Sequence, residues 1–217
     1  MINGGETMDF KDLFSAENVT LIGTVLGTIV GSLLIFMKSF KKTLNVLLKQ
    51  KENIPKKIKK QTEVDNLIYK RMETLKEVLN ADRIQIYEFH NGIHYANGRS
   101  ALKTTCTYEV CRYGVEPCQT YLQAVPLSCI PNFIKKLLDD GKMEVKDLEE
   151  ISKEMPCTYA LKKTQNIKSF FDIIIKNNEG EPIGFLAIQF CENDYNINEN
   201  EILRFVGFLE EVLSTNL

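Results

Sequence analysis

The chain has 217 residues, 44% hydrophobic and 26% charged, with six cysteines and a formal net charge of −2. That is a globular composition with room for one good-sized domain and appendages, and it excludes a disordered or repetitive chain. The near-neutral total conceals a strong local asymmetry of charge along the sequence.

Residues 1–18 carry Glu6, Asp9, Asp12 and Glu17 against Lys11 alone. From Val19 to Met37 the sequence VTLIGTVLGTIVGSLLIFM holds no charge. At about 1.5 Å per helical residue this stretch matches the roughly 30 Å apolar thickness of a bilayer. The acidic flank argues against a signal peptide, which needs a basic start and a small-residue cleavage site. A buried core helix does not explain the charge contrast at the two ends. We therefore expect a single transmembrane helix over residues 19–37.

Lys38, Lys41, Lys42, Lys49, Lys51, Lys56, Lys57, Lys59 and Lys60 follow it, with Glu52 as the acid among them. Excess lysine stays on the cytoplasmic side, so residues 1–18 are expected outside and the remainder inside, with 38–61 as a basic juxtamembrane linker interrupted by Pro55. The lysines suit anionic headgroups, at about 1 kcal/mol each near the surface. Topology and lipid account for them without a nucleic-acid partner, which we do not expect. Gly23, Gly27 and Gly31 recur every fourth residue on one helix face, a spacing that lets two helices approach closely as a homodimer.

Within residues 62–80, Ile68, Met72, Leu75 and Leu79 form a narrow apolar helical stripe able to pack on a sheet or on its twin. Asn80-Ala81-Asp82 breaks this helix. RIQIYEFHNG (83–92) then reads as a strand, with Ile84, Ile86, Glu88 and His90 on one face and Gln85, Tyr87, Phe89 and Asn91 on the other. The first face turns from apolar to ionisable, which marks either a strand running into solvent or the floor of a site. HYANGRSALKTT is polar and holds the turn signal Asn97-Gly98, and residues 104–114 resume as a strand.

Residues 130–138 form a helix that Pro131 begins and Gly141 ends. The segment 142–151 is a short strand or a turn leading to another helix. SFFDIIIK (169–176) and PIGFLAIQFC (182–191) are two strands joined by a tight turn at Asn177-Asn178-Glu179-Gly180. Asn198 caps a final helix bearing Ile202, Phe205, Val206, Leu209, Val212 and Leu213. This is an α+β chain, an antiparallel sheet with helices packed on it.

Cys106, Cys111, Cys118, Cys129, Cys157 and Cys191 all fall in the expected cytoplasmic part, where an even count does not imply disulfides. Their spacing lacks the paired knuckles of a zinc site, so no metal is expected, and most read as small buried hydrophobes.

The order of elements and the segment SFFDIIIKNNEGEPIGFLAIQF resemble a GAF domain over residues 62–217. YEFHNG followed by LKTTCTYEV further resembles a group of membrane-anchored GAF-like proteins of bacterial viruses and mobile elements. In that group His90, Asn91, Gly92, Lys103, Tyr108 and Glu109 fall on recurring positions. The resemblance implies a small ligand held between the sheet and a loop-helix excursion. The motif of the cyclic-nucleotide branch is absent, and no cysteine is marked for bilin attachment.

The expected function is thus a membrane-anchored sensory or binding module recognising a small molecule or a protein partner. Residues 1–217 contain no output domain, so a signal is expected to pass to another polypeptide. Glu88, His90, Asn91, Lys103, Tyr108 and Glu109 are the expected ligand-binding residues. His90 and Glu88 are expected to turn inward and pair with Lys103 or Glu109, because ionisable groups need partners if buried. Catalytic residues are not assigned, and neither is a cofactor. Two other readings stand beside this one. The first is a thiol oxidoreductase using Cys106, Cys111 and Cys118, as free methionine sulfoxide reductases use cysteines on a GAF scaffold. The second is a structural, membrane-associated interaction protein of a bacterial virus.

Overall fold

The computed structural model describes residues 16–214, and within the first helix the side chains of residues 16–19, 21–23, 25 and 44–53 lie outside that description. The chain divides into two units, Met1–Lys59 and Lys60–Leu217. Helix α1, Ala16–Leu79, supplies most of the first unit and opens the second. Pro55 sits inside α1 instead of interrupting it. Its neighbours Ile54 to Lys60 are exposed.

In the first unit, Leu26, Ile29, Val30, Leu33, Leu34, Ile35, Phe36, Met37 and Phe40 are 54–72% exposed. Among the described residues no helix is long and apolar enough to cross a membrane. The segment expected to do so, 19–37, includes Val19, residues 21–23 and Val25, which are outside the described side chains, and residues 1–15 of the expected outer segment are outside the description altogether.

The second unit is built on a six-stranded antiparallel sheet in the order β3-β2-β1-β6-β5-β4. The strands are β1 Arg83–His94, β2 Ser100–Cys111, β3 Val125–Pro126, β4 Lys142–Val145, β5 Ser169–Lys176 and β6 Pro182–Phe190. Helices α2 Pro131–Asp140 and α3 Pro156–Thr164 lie in the excursion between β3 and β5, and α4 Glu199–Ser214 closes the chain.

Helix α1 ends where Asn80 takes a left-handed conformation at φ 50°. Its stripe Ile68, Met72, Leu75 and Leu79 is at most 5% exposed and joins Ile84, Ile86, Val110, Leu186, Ile188 and the inner face of α4 in one core. Burying four such side chains contributes about 6 to 12 kcal/mol before entropy is counted. The stripe therefore meets the sheet, the first of its two expected uses.

Several local expectations hold. Pro131 opens α2, and Gly141 closes it at φ 75° with its N–H bonded to the Leu137 carbonyl. The Asn177 side chain accepts the N–H groups of Glu179 and Glu181 in the β5–β6 turn. Several strand boundaries differ from expectation, β2 ending at Cys111 instead of 114 and β6 at Phe190 instead of 191. β1 runs on to His94 and β2 starts at Ser100, because the polar stretch folds as a hairpin arm whose turn is closed by Tyr95 N–H on the Arg99 carbonyl.

Candidate functional site

Strand β1 separates two surroundings. Ile84 and Ile86 face α1 and α4, while Tyr87 belongs to a second core with Cys106, Cys118, Phe133, Phe170, Phe185 and the excursion. A bulge sharpens this division. The register passes from Ile86 opposite Tyr108 to Tyr87 opposite Cys106, leaving Thr107 as the extra residue. Tyr108 consequently faces α1, where its hydroxyl donates to Asp65 Oδ1 at 2.7 Å, and Glu109 comes to the excursion side.

There Glu109 meets a polar network within an apolar core. Arg83 and Glu109 have side chains 2% and 4% exposed, with Nε and Oε1 3.5 Å apart. Because Arg83 Nε makes no hydrogen bond, this is an ionic contact only. The guanidinium donates to Gln189 Oε1 at 3.0 Å and to the Glu116 carbonyl at 2.6 Å. Gln85 Nε2 donates to Glu109 at 2.7 Å, and Gln85 Oε1 accepts from Tyr87 Oη at 2.9 Å and from Gln189 Nε2 at 2.7 Å. The Glu109 carboxylate also accepts the backbone N–H groups of Cys118 and Gln119, which fixes the start of the excursion to the sheet. Such a network specifies one arrangement because each unpaired member would be costly.

A second buried ionic group lies nearby. Lys162 of α3 donates to Asp172 Oδ2 at 2.9 Å and stands 3.7 Å from the Phe170 ring centroid. Asp172 Oδ1 is buried without a partner. Burial pushes the Asp172 carboxyl above its ordinary range even against the attraction of Lys162.

Two cavities adjoin these groups. A small cavity of about 40 Å³, lined by Tyr87, Thr104, Phe133, Lys162, Phe185 and Gln189 among others, has room for water but not for an organic ligand. An open cleft of about 810 Å³ lies over Arg83, Cys118, Tyr121, Lys163, Gln165 and Cys191. Leu122, Leu161 and Gln165 line both, so these three side chains partition one from the other.

The residues singled out in sequence are not gathered into one cluster. His90, Asn91 and Lys103 line a separate groove of about 350 Å³. Glu109 is in the buried network, Tyr108 is against α1, and Glu88 is half-buried on β1. His90 does not turn inward. It is exposed, with ring Nε2 2.8 Å from Thr105 Oγ1. Among the described residues no ion pair joins Lys103 to Glu88 or Glu109. The cause is that the Ile84 and Ile86 face loses its helical cover beyond Ile86, so the following residues on it meet solvent.

The residues missed were Arg83, Gln85, Tyr87, Lys162, Asp172 and Gln189. The available signal was a polar residue inside an otherwise apolar strand, as with Asp172 in SFFDIIIK and Gln189 in FLAIQF.

All six cysteines are free. Burial is the main cause that raises the Cys106, Cys111, Cys118 and Cys191 thiols, Cys118 to about 12 and Cys191 to about 11. A nucleophilic thiol needs the opposite shift.

Neither a family model nor a curated relative matches the sequence. Solved structures do resemble the fold. The cyanobacteriochrome receptor PixJ is 14% identical, with a TM-score of 0.53 over 71% of this chain and 97% of that one. The PixJ GAF domain of Thermosynechococcus elongatus is 13% identical, with a TM-score of 0.53 over 70% and 88%. A phycocyanobilin-bound GAF domain from a cyanobacterial phytochrome is 18% identical, with a TM-score of 0.51 over 75% and 91%. At such identities the likeness concerns architecture, and the chain has the fold of a GAF domain.

Proposed function

We propose that the chain is a sensory or binding module that takes a small organic molecule in the cleft bounded by Arg83, Cys118, Tyr121 and Gln165, and that residues 19–37 hold it at a membrane with the second unit on the cytoplasmic side. The observation that carries the ligand reading is the cleft itself. Its volume of about 810 Å³ falls within the range of small-molecule sites, roughly 300 to 1,000 Å³. Arg83, held by Gln189 and the Glu116 carbonyl, lines it beside Cys118 and Gln165 and can orient polar atoms of a ligand. Ligand occupancy can pass to the sheet through Glu109, which holds both Gln85 and the 118–119 turn.

The thiol-enzyme reading lacks comparable support, because burial raises Cys106, Cys111 and Cys118 away from the thiolate. Membrane anchoring rests on the uncharged segment 19–37, the lysines after it, and the exposed apolar side chains between Leu26 and Phe40. A homodimer through the Gly23, Gly27 and Gly31 face is part of the same proposal. Gly27 and Gly31 have open space around them, as a close helix approach requires. Any pairing through helix 62–80 would use its outer side, where Leu67 and Val78 are exposed.

Native mass spectrometry of the full-length chain, purified from its own host type in mild detergent, tests the ligand reading. A small molecule bound near one per chain is expected, and Leu161→Trp, which fills the partition, should release it while the circular dichroism spectrum is unchanged. Retention of the same molecule by Leu161→Trp, or its absence from the parent chain, refutes the site.

A further inference from the structure

The Phe89-His90-Asn91-Gly92 motif takes no part in the cleft, and one side of its backbone is unused. β1 pairs with β2 out to Asn91 and again at His94. On its other side the ladder with β6 ends at Glu88 opposite Gly184. Among the described residues no strand lies beside Phe89–His94 on that side.

The other sheet edges are guarded. β4 is four residues long and exposes Lys142 and Glu144. From Lys103 to Thr107 the far side of β2 is covered by β3 at Lys103 and Thr104, by the Leu122 carbonyl on the Cys106 N–H, and by the Gln119 and Gln123 amides on the Thr107 and Cys106 carbonyls. Short length, charge and covering groups are the usual means of blocking strand addition. The segment FHNGIH has none of these, and its Ile93 is 72% exposed. Gly92 keeps the arm closed up, since a Cβ there would overlap the Ala101 carbonyl oxygen and the Lys103 side chain.

A groove of about 350 Å³ runs beside this edge. Phe89, Leu102, Leu127, Ile134, Leu138 and Pro182 give it apolar walls, and its ionisable lining residues are His90 and Lys103, with no acid. An apolar groove with basic groups, next to unpaired strand backbone, matches strand addition: main-chain bonds supply affinity, and pockets for alternate side chains supply selectivity.

We propose that Phe89–His94 and this groove bind an extended segment of a partner protein, added as a strand, with apolar side chains at alternate positions in the groove and acidic side chains against His90 and Lys103. The acidic character follows from charge complementarity with the lining.

Fluorescence anisotropy with the purified full-length chain tests it. The probe is a capped octapeptide of alternating valine and aspartate. Saturable binding is expected. Peptides with the same residues in two blocks, or with lysine for aspartate, should bind at least about tenfold more weakly, a difference of about 1.4 kcal/mol. N-methylation of alternate amides should abolish binding in one phase and spare it in the other. Lys103→Glu should shift preference toward the lysine peptide, and hydrogen exchange should show the bound peptide protecting Phe89–His94. Equal binding of the blocked peptide, failure of the alternating peptide to bind, or indifference to both N-methylated phases overturns the proposal. Concentration-dependent protection of the same amides without peptide overturns it too, by assigning the edge to a second copy.

Discussion

Replacing Lys162 by methionine removes an ammonium group while keeping a stem that can lie on Phe133 and Phe170. In the parent chain Lys162 holds Asp172 Oδ2 at 2.9 Å, and Asp172 Oδ1 already lacks a partner. The variant therefore leaves a fully buried carboxyl with no counter-charge. Breaking such a pair from one side costs about 3 to 5 kcal/mol, or roughly 6 to 20 °C in melting temperature for a domain of this size. Removing both charges in Lys162→Met/Asp172→Leu should recover most of this, since apolar pairs of similar volume are often neutral or better. Urea unfolding followed by circular dichroism measures both variants. The pH dependence adds a control. A carboxyl raised on folding adds stability below its unfolded value and loses it as pH rises through the folded one. Burial raises Asp172 above 3.8 against the pull of Lys162. Without that pull, the deficit of Lys162→Met should shrink as pH falls toward 3.8. A loss under about 1 kcal/mol in the single variant, or a deficit flat with pH, refutes the account.

Asp82 should behave in the opposite sense. Burial pushes its carboxyl up, but the N–H groups of Asn193, Glu192 and Cys191, all within 2.8 Å of Oδ2, and Arg112 outweigh that and lower it. Its contribution is present above 3.8 and lost as pH falls through the folded value. Asp82→Asn should cost about 1.5 to 3 kcal/mol at neutral pH and flatten that acid limb in pH-dependent unfolding. Gly184→Ala places a Cβ on the Tyr87 carbonyl oxygen, so it should lose about 1 to 3 kcal/mol by overpacking, and unchanged unfolding would contradict the close β1–β6 approach. A maleimide should label exposed Cys129 and Cys157 in the native chain, and Cys106, Cys118 and Cys191 only on unfolding. A reporter active only in the cytoplasm, fused after Leu217, should be active in the host type; silence there with activity of an extracytoplasmic reporter reverses the proposed orientation.

The elements are legible where an apolar run or one repeating apolar face is bounded by turn or capping residues. The apolar run of β5 predicts 169–176, where the strand lies, Pro131 and Gly141 bracket α2, and the α1 stripe meets the sheet. These signals are local: a period of 2 or 3.6, a proline at a helix start, a glycine free to take positive φ. The buried network is not local. Gln85 and Gln189 are 104 residues apart and Arg83 and Gln189 are 106, so no window of sequence shows that they meet. The bulge at Thr107 was equally hidden. Strict alternation puts Cys106, Tyr108 and Val110 on one face, yet one extra residue separates Cys106 from the others.

The polar end of β1 shows how the same residues support different inferences once cover is known. A strand face that turns ionisable after two isoleucines signals a buried site only if packing continues above it. Here α1 and α4 cover Ile84 and Ile86, while His90 is exposed. The change of polarity records where helical cover stops. The adjacent face carries the site signal, because Gln85 is fully buried there and Tyr87 nearly so. A buried amide must find partners, and Gln85 finds them in Glu109, Tyr87 and Gln189. Among the described residues the strand beyond Glu88 keeps only its β2 partner, and the proposed strand addition rests on this unpaired backbone more than on the imidazole.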